Sequence, residues 1–127
     1  MTENEIAKHV VDVAYKIHRS YGPGLLESVY RTLMLHDLER RGLKCQREVP
    51  IPLLSEGLRL EQAFRADLIV ENKVIIEVKS VEALAIVHRM QLLTYLRLAD
   101  KRLGILLNFN VAAIKDGICR VVNGLHK

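Results

Sequence analysis

The chain of 127 residues contains no tryptophan, and its aromatic residues are two phenylalanines and four tyrosines. Proteins that hold single-stranded nucleic acid by base stacking use exposed aromatic side chains, so no aromatic stacking surface is expected. Only two cysteines are present, Cys45 and Cys119, and they lack C-x-x-C spacing. This excludes a zinc ribbon and favours reduced thiols, which predicts a cytoplasmic protein.

Long apolar runs are also missing. The longest, Leu103 to Ile114, is interrupted by Asn108 and Asn110, whereas a helix that spans a bilayer needs about 20 apolar residues. The first residues are polar and acidic, unlike a secretory signal. No membrane partner is therefore expected.

The size and charge of the chain describe a small, mildly basic globular protein. Half of its residues are hydrophobic and 27% are charged, and its length predicts a single domain over residues 1–127. The net charge is +4 at pH 7, which is compatible with a polyanionic partner. This signal is weak, because the clusters Arg40-Arg41 and Lys101-Arg102 lie near predicted helix ends, where cations are favoured anyway.

Capping residues and glycines mark two helices in the first third of the chain. Thr2-x-x-Glu5 fits a capping box that opens the first helix, and the segment from Tyr21 to Gly24 ends it. The second helix is predicted from about Leu25 to Arg41, because Gly42 suits the position that follows a helix end.

Strand patterns dominate the middle of the chain. Pro50 and Pro52 place the first strand at a sheet edge or end it early, and Asp116-Gly117 is typical of a type I′ hairpin turn. The predicted elements are strands over Cys45–Leu53, Arg59–Val70 (bent midway) and Val74–Lys79, a helix from Val81 or Glu82 to Ala99, a buried strand over Leu103–Phe109, and a hairpin that pairs Ala112–Lys115 with Ile118–Val122. This order predicts an α/β sandwich around a mixed sheet, with a C-terminal β-hairpin.

Two carboxylates and a lysine meet at the predicted hairpin between the second and third strands. A three-residue loop pairs Val70 with Val74, and counting outward places Asp67 directly opposite Glu77. Lys79 lies two residues beyond Glu77 and shares its face. Directly opposed like charges are destabilising, and a divalent cation between them reverses that effect. The pattern therefore predicts a metal site with a cationic neighbour.

An ordinary surface hairpin is the alternative for these three residues. Lys79 would then neutralise one acid, and no function would follow. However, the strand around Glu77 is apolar on both faces, which predicts an interior strand. Charged residues are rarely buried without a partner, so the metal site is the favoured interpretation.

Three further polar residues are weaker candidates when judged from spacing alone. Glu27 lies at the margin of the apolar face of the second helix, but an acid in the first turn is also favoured by the helix dipole. Gln91 and Tyr95 are four residues apart on the third helix and share one face. A glutamine there either orients a water or a metal ligand or lies at the edge of the core.

Taken together, these residues resemble the PD-(D/E)XK nuclease superfamily, in which an acid on one strand and E-x-K on the next precede a helix. The motif G-x-x-E-x-x-Y in the second helix is similar to the signature of the GxxExxY proteins within that superfamily. The spacing of Gln91 and Tyr95 is similar to the Q-x-x-x-Y element of RecB-type nucleases. Ala66 stands where the superfamily name has proline. The resemblance rests, in order along nearly the whole chain, on Gly24–Tyr30, Phe64–Asp67, Ile76–Lys79, Gln91–Leu96 and Leu106–Phe109.

The resemblance implies a restriction-endonuclease-like core of αβββαβ order and a metal-dependent nuclease activity. Glu27, Asp67 and Glu77 would hold one or two Mg²⁺ or Mn²⁺ ions, which take oxygen ligands. Lys79 would position the attacking water or stabilise charge that builds on the phosphate. Gln91 would complete the catalytic set. Tyr30 and Tyr95 would support the site, and the partner would be nucleic acid, DNA in preference to RNA.

Two other functions stay open at this point. The first is a nucleic-acid-binding or partner-dependent module that keeps the nuclease fold without cleaving. The second is a structural scaffold, in which removing the acids would relieve repulsion without loss of function. A homodimer or an unidentified protein partner is left open as a means of holding the substrate.

Overall fold

The computed structural model describes residues 1–125. Its centre is a five-stranded sheet in the order β1-β2-β3-β4-β5, in which β3 and β4 are parallel and all other neighbours are antiparallel. The elements are α1 (Glu3–Tyr21), α2 (Glu27–Arg40), β1 (Cys45–Ser55), β2 (Leu58–Val70), β3 (Val74–Lys79), α3 (Ile86–Ala99), β4 (Leu103–Asn108), a 3₁₀ turn (Ile114–Gly117) and β5 (Ile118–Val122). This confirms the predicted α/β sandwich around a mixed sheet.

The first helix begins and ends as its capping residues predict, and the second, predicted from about Leu25, begins at Glu27 and ends just before Gly42. The Thr2 hydroxyl accepts a hydrogen bond from the Glu5 amide at 3.2 Å, and the Glu5 carboxylate accepts one from the Thr2 amide at 3.2 Å. Gly22 caps α1 with φ +66°, and Gly42 follows α2 with φ +88°. Both glycines therefore adopt backbone angles that other residues avoid.

The sheet separates two hydrophobic cores. The larger core packs α1 and α2 against one face, and the smaller core packs α3 against the other. Along β3, Val74, Ile76 and Val78 belong to the larger core, while Ile75 belongs to the smaller one. All six residues of β4 are buried, which confirms the prediction of a central strand. No helix within residues 1–125 is long and apolar enough to cross a membrane.

Strand β1 lies at the sheet edge, as its prolines predict. It and β2 are about twice as long as β3, so the two continue past the sheet as a ribbon that ends at the turn before Leu58. A bulge falls between Ile51 and Leu53. Leu54, Leu58 and Leu60 of this ribbon are exposed.

The predicted start of the third helix is wrong, since α3 begins at Ile86 and not at Val81 or Glu82. The side chain of Asn108 explains the difference. Its Oδ1 accepts a hydrogen bond from the Val81 amide at 3.1 Å, and its Nδ2 donates to the Val81 carbonyl at 3.0 Å. Because both main-chain groups of Val81 are bound to β4, the helix does not begin there, and residues 80–85 form an irregular connection with a bend at residues 82 and 83.

The predicted C-terminal hairpin is also wrong. Residues 114–117 form a 3₁₀ turn, and β5 pairs with β4 instead of with Ala112–Lys115. A type I′ turn needs positive φ at both central residues, and neither Asp116 nor Gly117 has it. Gly117 is required for another reason: a Cβ atom there would lie 2.0 Å from the Asn108 carbonyl oxygen.

Candidate metal centre at the separation of strands β2 and β3

The predicted register of the central hairpin is confirmed. Val70 pairs with Val74 and Leu68 with Ile76, and the same register places Asp67 opposite Glu77. The main-chain ladder ends at the Leu68–Ile76 pair, however, so the two acids lie where the strands begin to separate.

Carboxylates replace the missing ladder bonds at this point. The Asp67 amide donates to Glu77 Oε2 at 2.8 Å, and the Val78 amide donates to Asp67 Oδ2 at 2.8 Å. Each acid therefore binds the main chain of the opposite strand. These two hydrogen bonds fix both side chains against the strands.

Strand β1 is distorted on the other side of Asp67. Arg47 pairs with Leu68 and Val49 with Ala66, but Glu48, which lies between them opposite Asp67, has φ +50°. The side chains of β2 change faces here. Ala66 and Leu68 are two residues apart and would share a face in a regular strand, but Leu68 packs in the larger core and Ala66 in the smaller one. Left-handed backbone at a residue other than glycine costs on the order of 1 kcal/mol. The sequence predicts a bend in β2, but nothing in it identifies Glu48.

Burial is the main cause that raises the pKa of both acids, and a neighbouring carboxylate adds to each rise. Glu77 is 6% exposed, and burial, followed by the charge of Asp67, raises its pKa to about 7. Burial also raises the pKa of Asp67, although the Val78 amide and the charges of Arg31 and Lys79 oppose that rise. Ionising the pair in the metal-free protein is therefore unfavourable, and a cation between the two carboxylates would relieve that cost.

Lys79 ends β3 on the same side as Glu77, two residues away. Its charge lowers the pKa of both Asp67 and Glu77, so it lies near both acids, as predicted. Within residues 1–125 its ammonium group forms no ion pair shorter than 4.0 Å. The cation is therefore close to the acids without being bound by either.

Glu27 approaches from the first turn of α2. Its Oε2 accepts a hydrogen bond from the amide of Ser80, the residue that follows β3, at 2.9 Å. Its charge contributes to the raised pKa of Asp67. The sequence therefore identified a carboxylate that does reach the end of β3, although spacing alone made it a weak candidate.

Tyr30 gives a structural reason for the G-x-x-E-x-x-Y spacing. Its hydroxyl donates to the Gly22 carbonyl at 2.5 Å and accepts from the Leu25 amide at 3.2 Å. Its ring is fully buried and stacks on Phe109 with centroids 4.3 Å apart. Tyr30 thus fixes the turn before α2, and with it the position of Glu27, the first residue of that helix.

Arg31 is a residue of the site that the sequence analysis missed. Its Nη1 lies 3.6 Å from Asp67 Oδ1. The signal available in the sequence was its spacing, since Arg31 follows Glu27 by one helical turn and shares its face.

The two candidates on α3 differ in their surroundings. Tyr95 stacks on Phe64 with ring centroids 3.8 Å apart, and its pKa is raised by partial burial and by the charges of Glu77 and Asp67. It therefore lies close to the acids. Gln91 is exposed, and its side chain forms no hydrogen bond within residues 1–125.

The donor set suits a divalent cation in its chemistry. Glu27, Asp67 and Glu77 each bind a main-chain amide through one oxygen. The second oxygen of Glu27 and of Glu77 is left for a hard cation such as Mg²⁺, whereas that of Asp67 lies 3.6 Å from the Arg31 guanidinium. Yet within residues 1–125 no three histidine, cysteine or acidic side chains converge into a ready cluster of ligands. The structure brings Asp67 and Glu77 together, and the participation of Glu27 stays a prediction.

Comparison with known proteins gives the chain a family. A model of the PD-(D/E)XK nuclease superfamily matches residues 4–121. No curated protein matches the sequence. The crystal structure of SSO0001 is similar in fold, with a TM-score of 0.57 and 22% sequence identity over 78% of this chain. The matched region spans 50% of that protein. The chain belongs to the PD-(D/E)XK nuclease superfamily.

Proposed function

We propose that this chain is a metal-dependent nuclease of the GxxExxY group that hydrolyses phosphodiester bonds in nucleic acid, DNA in preference to RNA. Glu27, Asp67 and Glu77 hold Mg²⁺ or Mn²⁺. The observation that carries the proposal is the pair of Asp67 and Glu77. Each carboxylate accepts a hydrogen bond from a main-chain amide of the other's strand, and the pKa of each is raised. In a member of this superfamily, that arrangement supports a site for a divalent cation.

The residues of the site divide the work of hydrolysis. A bound divalent ion supplies an acidic water and shields the phosphate oxygens. The main-chain amides of Asp67, Val78 and Ser80 hold the three carboxylates in place before any substrate arrives. Lys79 presents a compact cation to the charge that develops on the phosphate, or orients the attacking water.

The aromatic and amide side chains have supporting roles in this proposal. Tyr30 positions Glu27 through the turn that it fixes. Tyr95, which stacks on Phe64, would limit the contact of the acids with water from the side of α3. Gln91, whose side chain is exposed, would contact the substrate.

A module that binds nucleic acid without cleaving it is the second candidate. It is favoured by the absence, within residues 1–125, of a converged cluster of three ligands and by the ion pair in which Arg31 already partly neutralises Asp67. The two candidates predict the same fold and the same location, which we place in the cytoplasm on the basis of the two free cysteines.

Cleavage and binding by charge variants distinguish the candidates. We expect wild-type protein with Mn²⁺ or Mg²⁺ to cleave single- or double-stranded oligonucleotides. Lys79→Gln should reduce the rate by about 100-fold or more, the usual effect of removing a group that stabilises transition-state charge, while substrate binding persists. Lys8→Gln, which removes an equal charge from α1, is the control. Cleavage that survives Lys79→Gln would overturn the assignment, and binding without cleavage in the wild type would favour the second candidate.

A further inference from the structure

A cavity of about 170 Å³ opens beside Asp67, on the side of the sheet that carries α2. It lies between α2 and the first two strands. The residues that line it are Ser28, Arg31, Thr32, Leu35, Arg47, Glu48, Asp67 and Leu68. The cavity thus shares Asp67 with the candidate metal centre but consists mainly of residues outside it.

One face of α2 supplies half of this lining. Ser28, Arg31, Thr32 and Leu35 follow the i, i+3, i+4, i+7 spacing of a single helical face. Three of these four side chains are polar, although the same helix presents apolar residues to the core. Leu35 packs against the larger core, so the polar part of this face consists of Ser28, Arg31 and Thr32, and it begins one residue after Glu27.

Among the residues that the structure describes, the guanidinium group of Arg31 has an ion-pair partner but no hydrogen-bond acceptor. Its side chain is only 29% exposed and lies 3.6 Å from Asp67, which is an ion-pair contact and too long for a hydrogen bond. Within residues 1–125 no acceptor bonds to it. A guanidinium has five N–H donors arranged to bind phosphate or carboxylate through two bonds at once. A second arginine, Arg47, also lines the cavity.

Two acids also line the cavity, and their positions limit their effect on a bound anion. Asp67 already accepts a hydrogen bond from the Val78 amide and forms an ion pair with Arg31. Glu48 is exposed and is not among the charges that shift the pKa of Asp67. The two arginines and the hydroxyl of Ser28 are therefore the groups available to an incoming ligand.

We propose that this cavity binds a phosphate group of the nucleic-acid strand, next to the phosphate that is cleaved. Arg31 and Arg47 hold this second phosphate, and its position sets how the strand crosses the metal centre. The inference deepens the proposed nuclease function and rests on it for the identity of the strand. Binding to the cavity itself requires no cleavage.

The test measures affinity without metal-dependent chemistry. Oligonucleotides without terminal phosphates are titrated in EDTA over a range of salt concentrations against wild type, Arg31→Gln and Arg47→Gln. Each variant should weaken binding about tenfold, because a hydrogen-bonded charge contact is lost. The slope of log K against log salt should become shallower by about 0.7–0.9 in each. Arg31→Lys should restore the charge but not the two-bond contact.

Arg102→Gln is the matched control, since Arg102 precedes β4 at the end of the sheet opposite Lys79. Equal weakening in all three glutamine variants would overturn the proposal, because it would report only the loss of net charge. An oligonucleotide with a 5′-phosphate and inorganic phosphate are tested alongside. If only the oligonucleotide with a 5′-phosphate shows Arg31-dependent binding, the ligand of the cavity is a terminal phosphate and the proposal of an internal one is overturned. If only inorganic phosphate stabilises the protein, the ligand is free phosphate and the proposal is likewise overturned.

The variants also separate this proposal from the proposed function. If wild type cleaves nucleic acid and Arg31→Gln binds the oligonucleotide as tightly as wild type does, only the second phosphate site is overturned. Arg31-dependent binding in a protein that never cleaves would support the site and overturn the nuclease. If Arg31→Gln fails to fold, Arg47→Gln and Arg31→Lys give the same comparison, since Arg47 is exposed.

Discussion

The two ends of strand β3 follow opposite physical rules. At one end, Val74, Ile75 and Ile76 are fully buried and paired in register with β2. At the other end, Glu77 is also buried, but the ladder has ended and two acids repel each other. The first end stabilises the fold, whereas the second costs stability and keeps a charged site in place. Residues that weaken a fold without an evident structural gain commonly mark function.

The largest expected effect is at the apolar end. Ile76→Ala removes a fully buried side chain that packs in the larger core, and such substitutions cost about 2–5 kcal/mol of unfolding free energy. Urea unfolding measures this loss. A cost below about 1 kcal/mol would mean that the two ends of β3 do not differ as described.

At the polar end a substitution should stabilise the protein. Folding raises the pKa of Glu77 from 4.5 to about 7, so the folded state holds this proton more tightly than the unfolded state. Stability is therefore lost as pH rises from about 4.5 to about 7. In EDTA at pH 8, Glu77→Gln should raise the unfolding free energy on the order of 3 kcal/mol.

The pH dependence supplies the check on that result. The amide oxygen of the glutamine keeps the hydrogen bond from the Asp67 amide, so the gain should vanish near pH 4 and grow toward pH 8. Unfolding at pH 4, 6 and 8 measures it. A gain that is the same at all three values would indicate improved packing and not the removal of a buried charge.

Tyr30→Phe should produce a smaller loss. The buried hydroxyl bonds two main-chain groups of the turn before α2, and leaving them unpaired costs about 1–3 kcal/mol. If Tyr30 also positions Glu27, the variant should bind divalent metal more weakly than wild type. Tyr15→Phe, at an exposed position on α1, is the control for both measurements. Unchanged metal affinity would restrict Tyr30 to a structural role.

Asp67→Asn should have the smallest effect on stability. Its pKa is raised by burial, but the Val78 amide and the neighbouring cations offset part of that rise. Removing the charge should therefore stabilise the metal-free protein at pH 8 by less than Glu77→Gln does. Thermal unfolding of the two variants side by side in EDTA tests the order, and the reverse order would contradict it.

The sequence predicts well those features that local rules govern. The three-residue loop fixed the register of Asp67 against Glu77, and Pro50 and Pro52 placed β1 at an edge. The failures arise from contacts distant in the sequence. The start of α3 depends on Asn108, which binds Val81, and Gly117 fits against the Asn108 carbonyl instead of forming a hairpin turn.

The candidate site shows the same division. The acids of β2 and β3 were identified because alternation and pairing place them directly. Arg31 was missed because its contact with Asp67 depends on how α2 crosses the sheet. Glu48 was missed because no feature of the amino-acid sequence indicates its positive φ angle. The role of Gln91 depends on a substrate or an ion, which the fold alone does not supply.

The most direct test of the central claim is calorimetric titration of Mn²⁺ and Mg²⁺ into wild type and Asp67→Asn. The titrations are done alone and with a non-cleavable oligonucleotide, so that a site completed by substrate phosphate is also detected. We expect wild type to bind metal, and Asp67→Asn to abolish that binding or weaken it at least tenfold. Equal binding to both proteins, or no binding to wild type at millimolar metal in either condition, would contradict a metal centre between β2 and β3.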